Sequence, residues 1–383
     1  EPVAVMQGGE MTTAIGLGNT RRVTISAPGV MPLGMRVFSL VDVPDHRVIP
    51  AEMPEVMEIW IGAGPVPGYL HRFLVLLAQA RAKFNLPRLT PLAPLCLWVL
   101  NIFAHGEHRG GMFVRVQGLR NNEQATTSWH LVAEGDAGPL IPSMAVAVLL
   151  RDLAAGRSRP PGARAATRDL SLTDYEVLFA QHGIKSGFRQ DQPASKNLYR
   201  NTLAGAFLEM PPALQALHTV ERKHVWSGRA DVRRGRNPLA RLIARRIGFP
   251  QTGSDVPVSV TLIADGAGGE RWYRDFDGVE FRSHQSVGRG ANAHLIVESF
   301  GPVRVGLAAV VDGDRLRIIP RRWSLWALPL PGWLLPGGDA FEDVDEQGRF
   351  RFNVTIAAPL IGMIVSYRGW LEPLDSEGNT HAA

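Results

Sequence analysis

The stretch Glu270 to Ser286, ERWYRDFDGVEFRSHQS, holds the residues of this chain best suited to chemistry. Large aromatics alternate with charges, and Asp277-Gly278 is a strong two-residue hairpin signal. Folding the stretch about that turn sets Phe276 opposite Val279, Arg274 opposite Phe281, Trp272 opposite Ser283 and Glu270 opposite Gln285. All eight then share one face. The opposite face carries Arg271, Tyr273, Asp275, Glu280, Arg282 and His284 and has the composition of a solvent side. Glu270 and Arg274 are therefore expected to point inward, among Trp272, Phe276 and Phe281.

An unpaired buried charge is costly, so both groups need partners. Two readings stay open. In the first, Glu270 and Arg274 pair with each other or with backbone and fix the register. In the second, they are the polar anchor of a ligand cavity inside a small barrel. There Arg274 holds an anionic or carbonyl group, Glu270 orients Arg274, and Trp272 and Phe281 line the cavity beside Ser283. Glu298 in LIVESFGP and Tyr367 in IVSYRGW join them if their strands face the same way.

Other motifs carry less. Gly16 to Arg21 (GLGNTR) and Gly288 to Ala293 (GRGANA) lack the strand, the third glycine and the helix of a dinucleotide fingerprint and read as loops. His105 and His108, with Glu107 between them, fall in a glycine-rich loop rather than on a metal-binding helix face. The single cysteine, Cys96, excludes an intrachain disulfide and reads as a small core residue. Arg229 to Arg246 contains seven arginines without interleaved aromatics. That disfavours nucleic acid and suits a solvated face or an anionic membrane surface. Trp323 to Pro336 holds three tryptophans and three prolines, so it reads as an edge or a flap over a barrel mouth.

These groups need elements to position them. Short strands are expected in RRVTISAPG, MRVFSLVDVP and Val56 to Gly64. Helices follow at Tyr69 to Phe84, with Leu70, Phe73, Leu74 and Leu77 on one face, and at Pro91 to Phe103. A strand pair joined by RNNEQ comes next, then a helix closed by Gly156 and a helix capped by Ser171 and Asp174. The Pro-, Gly- and Arg-rich AGRSRPPGARAATRD reads as a surface connection, and Phe188 to Asn197 as the domain boundary. A helical lead-in precedes the helix of NPLARLIARRIGFP, capped by Asn237, ended by Gly248 and expected to bury Leu239, Leu242, Ile243 and Ile247. From Val256 to Leu371 eight or nine strands suggest a closed antiparallel barrel. The fold class is α+β: a mixed α/β fragment over 1–188, then the helical lead-in and antiparallel β-barrel over 189–383.

With 383 residues, 45% of them hydrophobic, the chain has material for two domains with ordinary cores. Its net charge of +5 permits anionic partners without identifying one. No stretch has the make-up of a signal peptide or the ~20 apolar residues of a spanning helix, so a cytoplasmic, optionally membrane-peripheral protein is expected. The start at Glu1 rather than Met suggests a trimmed chain.

FSLVDVPD, RGGMFVRVQG, WHLVAEGDAGPLIPSMAVAVLLRDLAAG and LSLTDYEVLFAQHGI resemble the substrate-side, C-terminal domain of bacterial saccharopine dehydrogenase-like oxidoreductases. LYRNTLAGAFLEMPPALQALH, ERWYRDFDGVEFRS, VESFGP, PLPGWLLP and GRFRFNVTIAAPLIGMIVSYRGWL resemble the domain of unknown function 4166 found fused behind such proteins. The resemblance implies NAD(P)-linked redox chemistry for a longer protein whose N-terminal Rossmann domain precedes this chain. It supplies no catalytic residue and no cofactor site within this chain. The expected function is part of such an oxidoreductase, its barrel binding a small apolar or amphipathic ligand. The alternative is a non-enzymatic lipid or metabolite carrier.

Overall fold

The computed structural model describes residues 2–87, 90–102, 107–157, 160–164, 166–190 and 196–374. His105 and the centre of the expected boundary stretch, 191–195, lie outside these residues, as does the side chain of Cys96. The chain divides into two compact units. One comprises Glu1–Ile25, Leu33–Gly111 and Ala133–Ile184; the other comprises Ser26–Pro32, Met112–Val132 and Lys185–Ala383.

The first unit is mixed α/β. A hairpin of Pro2–Gln7 and Glu10–Ile15 stands beside a three-stranded sheet of Thr20–Val23, Arg36–Leu40 and Gly62–Ala63. Its helices include Gly68–Phe84, Ala93–Ile102, Ile141–Ala154 and Leu172–Gln181. The last begins where expected, with the Ser171 N–H donating to Asp174 Oδ2 at 2.6 Å. Two expectations need correction. Of Val56 to Gly64 only Gly62–Ala63 is strand. The helix Gly68–Phe84 buries His71 and Val75 and leaves Phe73 exposed, because the Ser39 hydroxyl meets His71 Nε2 at 2.7 Å and turns that face inward.

The second unit is dominated by a ten-stranded antiparallel barrel. Its strands are β1 (Lys223–Arg234), β2 (Gly253–Ala264), β3 (Glu270–Phe276), β4 (Val279–Val287) and β5 (Ile296–Phe300). They continue as β6 (Val303–Asp312), β7 (Arg315–Leu325), β8 (Ala340–Val344), β9 (Phe350–Ala358) and β10 (Gly362–Pro373). Each strand pairs with its sequence neighbours, and β10 pairs with β1, so the sheet closes on itself. Closure leaves few edges, although the β7–β8 seam is short and pairs only Leu316 with Glu342 and Arg317 with Phe341. A two-residue strand, Leu328–Pro329, is appended to β7. The second half of β1 overlaps the start of the arginine-rich stretch, and along the strand inward Trp226, Ala230 and Val232 alternate with outward Arg229, Asp231 and Arg233. Charge density had masked that alternation.

The up-and-down order sorts the connections. Those after β1, β3, β5, β7 and β9 lie at one end of the barrel, here the rim end. Those after β2, β4, β6 and β8 lie at the other. The second end is stopped by α1 (Leu198–Leu203), a 3₁₀ turn and α2 (Pro212–Leu217). Leu198, Leu203, Phe207, Leu214 and Leu217 are fully buried there, in one core with the strands' inward residues. At the rim, α3 (Pro238–Ile247) joins β1 to β2. Asn237 Oδ1 accepts from the Leu239 N–H at 2.9 Å, and Gly248 ends the helix at φ +86°. α3 buries Ala240 and Ala244, flanked by Ile243 and Ile247. Leu239 and Leu242, expected in the core, are exposed. The small alanines let α3 approach β10 closely, which rotates both leucines outward.

Candidate functional site in the barrel lumen

The hairpin of β3 and β4 has the register read from its turn. Glu270 pairs with Gln285, Trp272 with Ser283, Arg274 with Phe281 and Phe276 with Val279. Glu270, Trp272, Phe276, Phe281, Ser283 and Gln285 are buried. Two charges do stand on the apolar face, and each meets a different fate.

Arg274 does not pair with Glu270. Its Nη2 donates to Glu298 Oε1 at 3.3 Å and its Nη1 to the Ser283 hydroxyl at 2.9 Å, while Ser283 donates to the same Glu298 oxygen at 2.6 Å. The guanidinium carbon stands 4.6 Å from the Trp272 ring centre and 5.3 Å from that of Phe281. Arg274 is thus neutralised by one carboxylate, oriented by one hydroxyl and flanked by two π faces. Glu298 comes within reach because its strand β5 pairs with β4, Glu298 standing opposite Gln285. Tyr367 shares the lumen. Its ring centre lies 5.5 Å from Phe276, 6.2 Å from Phe281 and 6.0 Å from Phe352, and burial pushes its hydroxyl up to about 12.

Glu270 sits deeper, toward the helical plug. Trp272 Nε1 donates to its Oε2 at 3.2 Å, and its Oε1 has no hydrogen-bond partner. Burial raises its carboxyl to about 7, opposed by the nearby His218 and by the Trp272 bond. The expected role of Glu270 in orienting Arg274 is therefore replaced by a second cluster. His218, at the end of α2, is fully buried, with Nε2 2.5 Å from Glu342 Oε2 and Nδ1 unpartnered. The Tyr199 ring stacks on it at 3.7 Å, and the Tyr199 hydroxyl donates to Gln285 Oε1 at 3.0 Å. Sequence reasoning missed Tyr199, His218 and Glu342. The alternation Ala340, Glu342, Val344 could have placed Glu342 inward. A lone histidine after a short helix offered no signal.

Elsewhere in this unit Arg189 is buried without a carboxylate. It donates to the Ser26 carbonyl at 2.6 Å, the Thr202 carbonyl at 2.9 Å, the Ser26 hydroxyl at 3.1 Å and the Ala27 carbonyl at 3.3 Å. Its fork is occupied by the backbone, which makes it a clamp on those segments. Two pockets stand outside the lumen. A groove of about 430 Å³ on the outer wall is lined by Arg229, Pro257, Asp275 and Trp370. A pocket of about 650 Å³ beside α3 is lined by Arg234, Arg236, Arg241, Arg245, Gln251 and Thr252.

No group of three or more His, Cys, Asp or Glu side chains among the described residues is arranged to hold a metal. Gly16–Arg21 connects the strand Glu10–Ile15 to the strand Thr20–Val23 of a different sheet, and Gly288–Ala293 is a loop and 3₁₀ turn between β4 and β5. Neither stands between a strand and a helix N-terminus, so neither fits a dinucleotide phosphate.

Residues 210–371 match the family model described as a domain of unknown function (DUF4166). The match covers less than half of the chain and runs from just before α2 into β10. No curated protein and no solved structure matches the chain.

Proposed function

We propose that the barrel is a non-enzymatic binding module for a small amphipathic molecule held in its lumen. The observation that supports this reading is the pair of unsatisfied buried polar atoms at the plug end, Glu270 Oε1 and His218 Nδ1. Each such group costs about 1–3 kcal/mol, and a ligand hydroxyl or carbonyl-and-hydroxyl pair would satisfy it. The surrounding Trp226, Trp272 and Phe350 suit an apolar body. Arg274 and Glu298, already paired, form the floor of the site.

Mass spectrometry of an organic extract from the purified full chain tests the proposal. A stoichiometric amphipathic compound is expected, and it should be lost from Glu270→Gln at unchanged far-UV circular dichroism. An empty extract from the unaltered chain overturns the reading. The wider proposal, NAD(P)-linked redox chemistry in a longer saccharopine dehydrogenase-like protein, is supported only by the sequence pieces named above. It assigns no cofactor contact to this chain, and titration of the chain with NADH should show no saturable fluorescence change.

A further inference from the structure

The rim end of the barrel carries what the rest of the barrel avoids. Three connections that follow one another around the rim expose large apolar side chains. Between β7 and β8, Trp326, Leu328 and Trp333 are 74%, 70% and 70% exposed. Between β9 and β10, Leu360 is 93% exposed. Between β1 and β2, α3 exposes Leu239 and Leu242. The three are tied together by backbone. Gly337 and Ala357 form a bridge between the first connection and β9, and the Gly235 N–H donates to the Ile364 carbonyl of β10.

These apolar groups are held out rather than merely left out. Trp326 and Ala327 form a hairpin tip with φ of +46° and +68°. A left-handed backbone is unfavourable for a tryptophan, and such outliers point to function. The Trp326 backbone N–H donates to the Pro302 carbonyl at 2.9 Å, and the Trp323 indole Nε1 to the Pro331 carbonyl at 3.0 Å. These bonds brace the flap, which holds the Trp326 and Trp333 indoles outward while Trp323 is half-buried.

Charge completes the pattern. Arg236, Arg241 and Arg245 line the pocket beside α3, and Arg246 lies on the same helix. None of the four has a carboxylate partner among the described residues. Arg234, at the pocket floor, is committed to the Pro250 and Phe249 carbonyls. The pocket lining contains no acidic residue. Acids do stand near this part of the rim: Asp255 at the start of β2 is paired with Arg229, Asp231 on β1 stands 3.7 Å from Arg368, and Asp339 lies in the connection before β8.

We infer that this part of the rim docks on an anionic phospholipid surface, with the pocket of Arg236, Arg241 and Arg245 receiving lipid phosphates. Trp326, Trp333, Leu360, Leu239 and Leu242 enter the headgroup boundary. Tryptophan suits that boundary because its ring is apolar and its N–H is polar. Arginines suit it because they fork onto phosphate oxygens and sit in the negative surface potential. This surface is separate from the lumen, and the inference does not depend on what the lumen holds.

Co-sedimentation of the full chain with phosphatidylcholine vesicles, with and without phosphatidylglycerol, tests it. Binding is expected only to the anionic vesicles, with a blue shift of tryptophan fluorescence that Trp326→Ser diminishes. R241Q/R245Q should bind about 30-fold more weakly, from about 1 kcal/mol per arginine near an anionic surface. R271Q/R282Q, which removes the same charge from the outer wall of β3 and β4, should leave binding within about twofold. These positions are exposed, and a matching thermal melt checks that each variant folds. No vesicle binding, equal loss in both double variants, or saturable binding of inorganic phosphate or an oligonucleotide without vesicle binding each overturns the inference.

Discussion

The two ends of the barrel place their polar and apolar groups in opposite ways. At the plug end most apolar groups are inside, with Leu208 and Val287 the exposed exceptions, and polar atoms without partners are trapped among them at Glu270 and His218. At the rim the apolar groups point outward, and the charges beside them are solvated arginines. A buried polar atom without a partner costs about 1–3 kcal/mol, so the two inside are a local cost to folding. A surface minimises exposed indole, so holding two outward is a cost of another kind. The same closed sheet thus carries buried polar atoms without partners at one end and exposed apolar and cationic groups at the other.

The contrast can be broken most strongly in the middle of the lumen. Arg274→Met should cost about 3–5 kcal/mol in a urea unfolding experiment, because it leaves Glu298 charged and buried. Arg274→Met with Glu298→Leu should recover most of that loss. If the double variant is as unstable as the single one, the cluster acts by packing and not as an ion pair.

Next comes Glu270. Its folded carboxyl titrates at about 7, and an ordinary one at 4.5. Between those values the folded chain holds the extra proton, so stability falls as pH rises from about 4.5 to about 7 and stays lower above. The shift corresponds to about 3 kcal/mol as an upper bound. Glu270→Gln should therefore be more stable than the unaltered chain at pH 8 and similar to it at pH 4. Denaturant midpoints at the two pH values check this, and an unchanged pH slope would remove Glu270 as its source.

The smallest effect on stability belongs to the rim. Trp333→Ser and Leu360→Ser should each shift stability by no more than about 0.5 kcal/mol, as exposed positions do. Vesicle binding should nevertheless weaken. A large loss of stability instead would mean that these side chains pack against the barrel and that the two ends are alike.

Much of this was legible in the chain because it is written locally. The Asp277-Gly278 turn fixes a two-residue loop, and a period of two then assigns every residue of β3 and β4 to a face. Asn237 and Gly248 bound α3 for similarly local reasons. What tertiary structure alone decided was which neighbour each inward charge would meet. Glu298 reached Arg274 through a strand pairing, His218 reached Glu342 across 124 residues, and the plug helices put Tyr199 against Gln285. Nor could periodicity rotate α3, since alanine and leucine are both apolar and only the close approach of β10 selects the smaller. Local backbone chemistry set the strands, turns and caps; the partners of buried charge were set by barrel closure, which no short stretch contains.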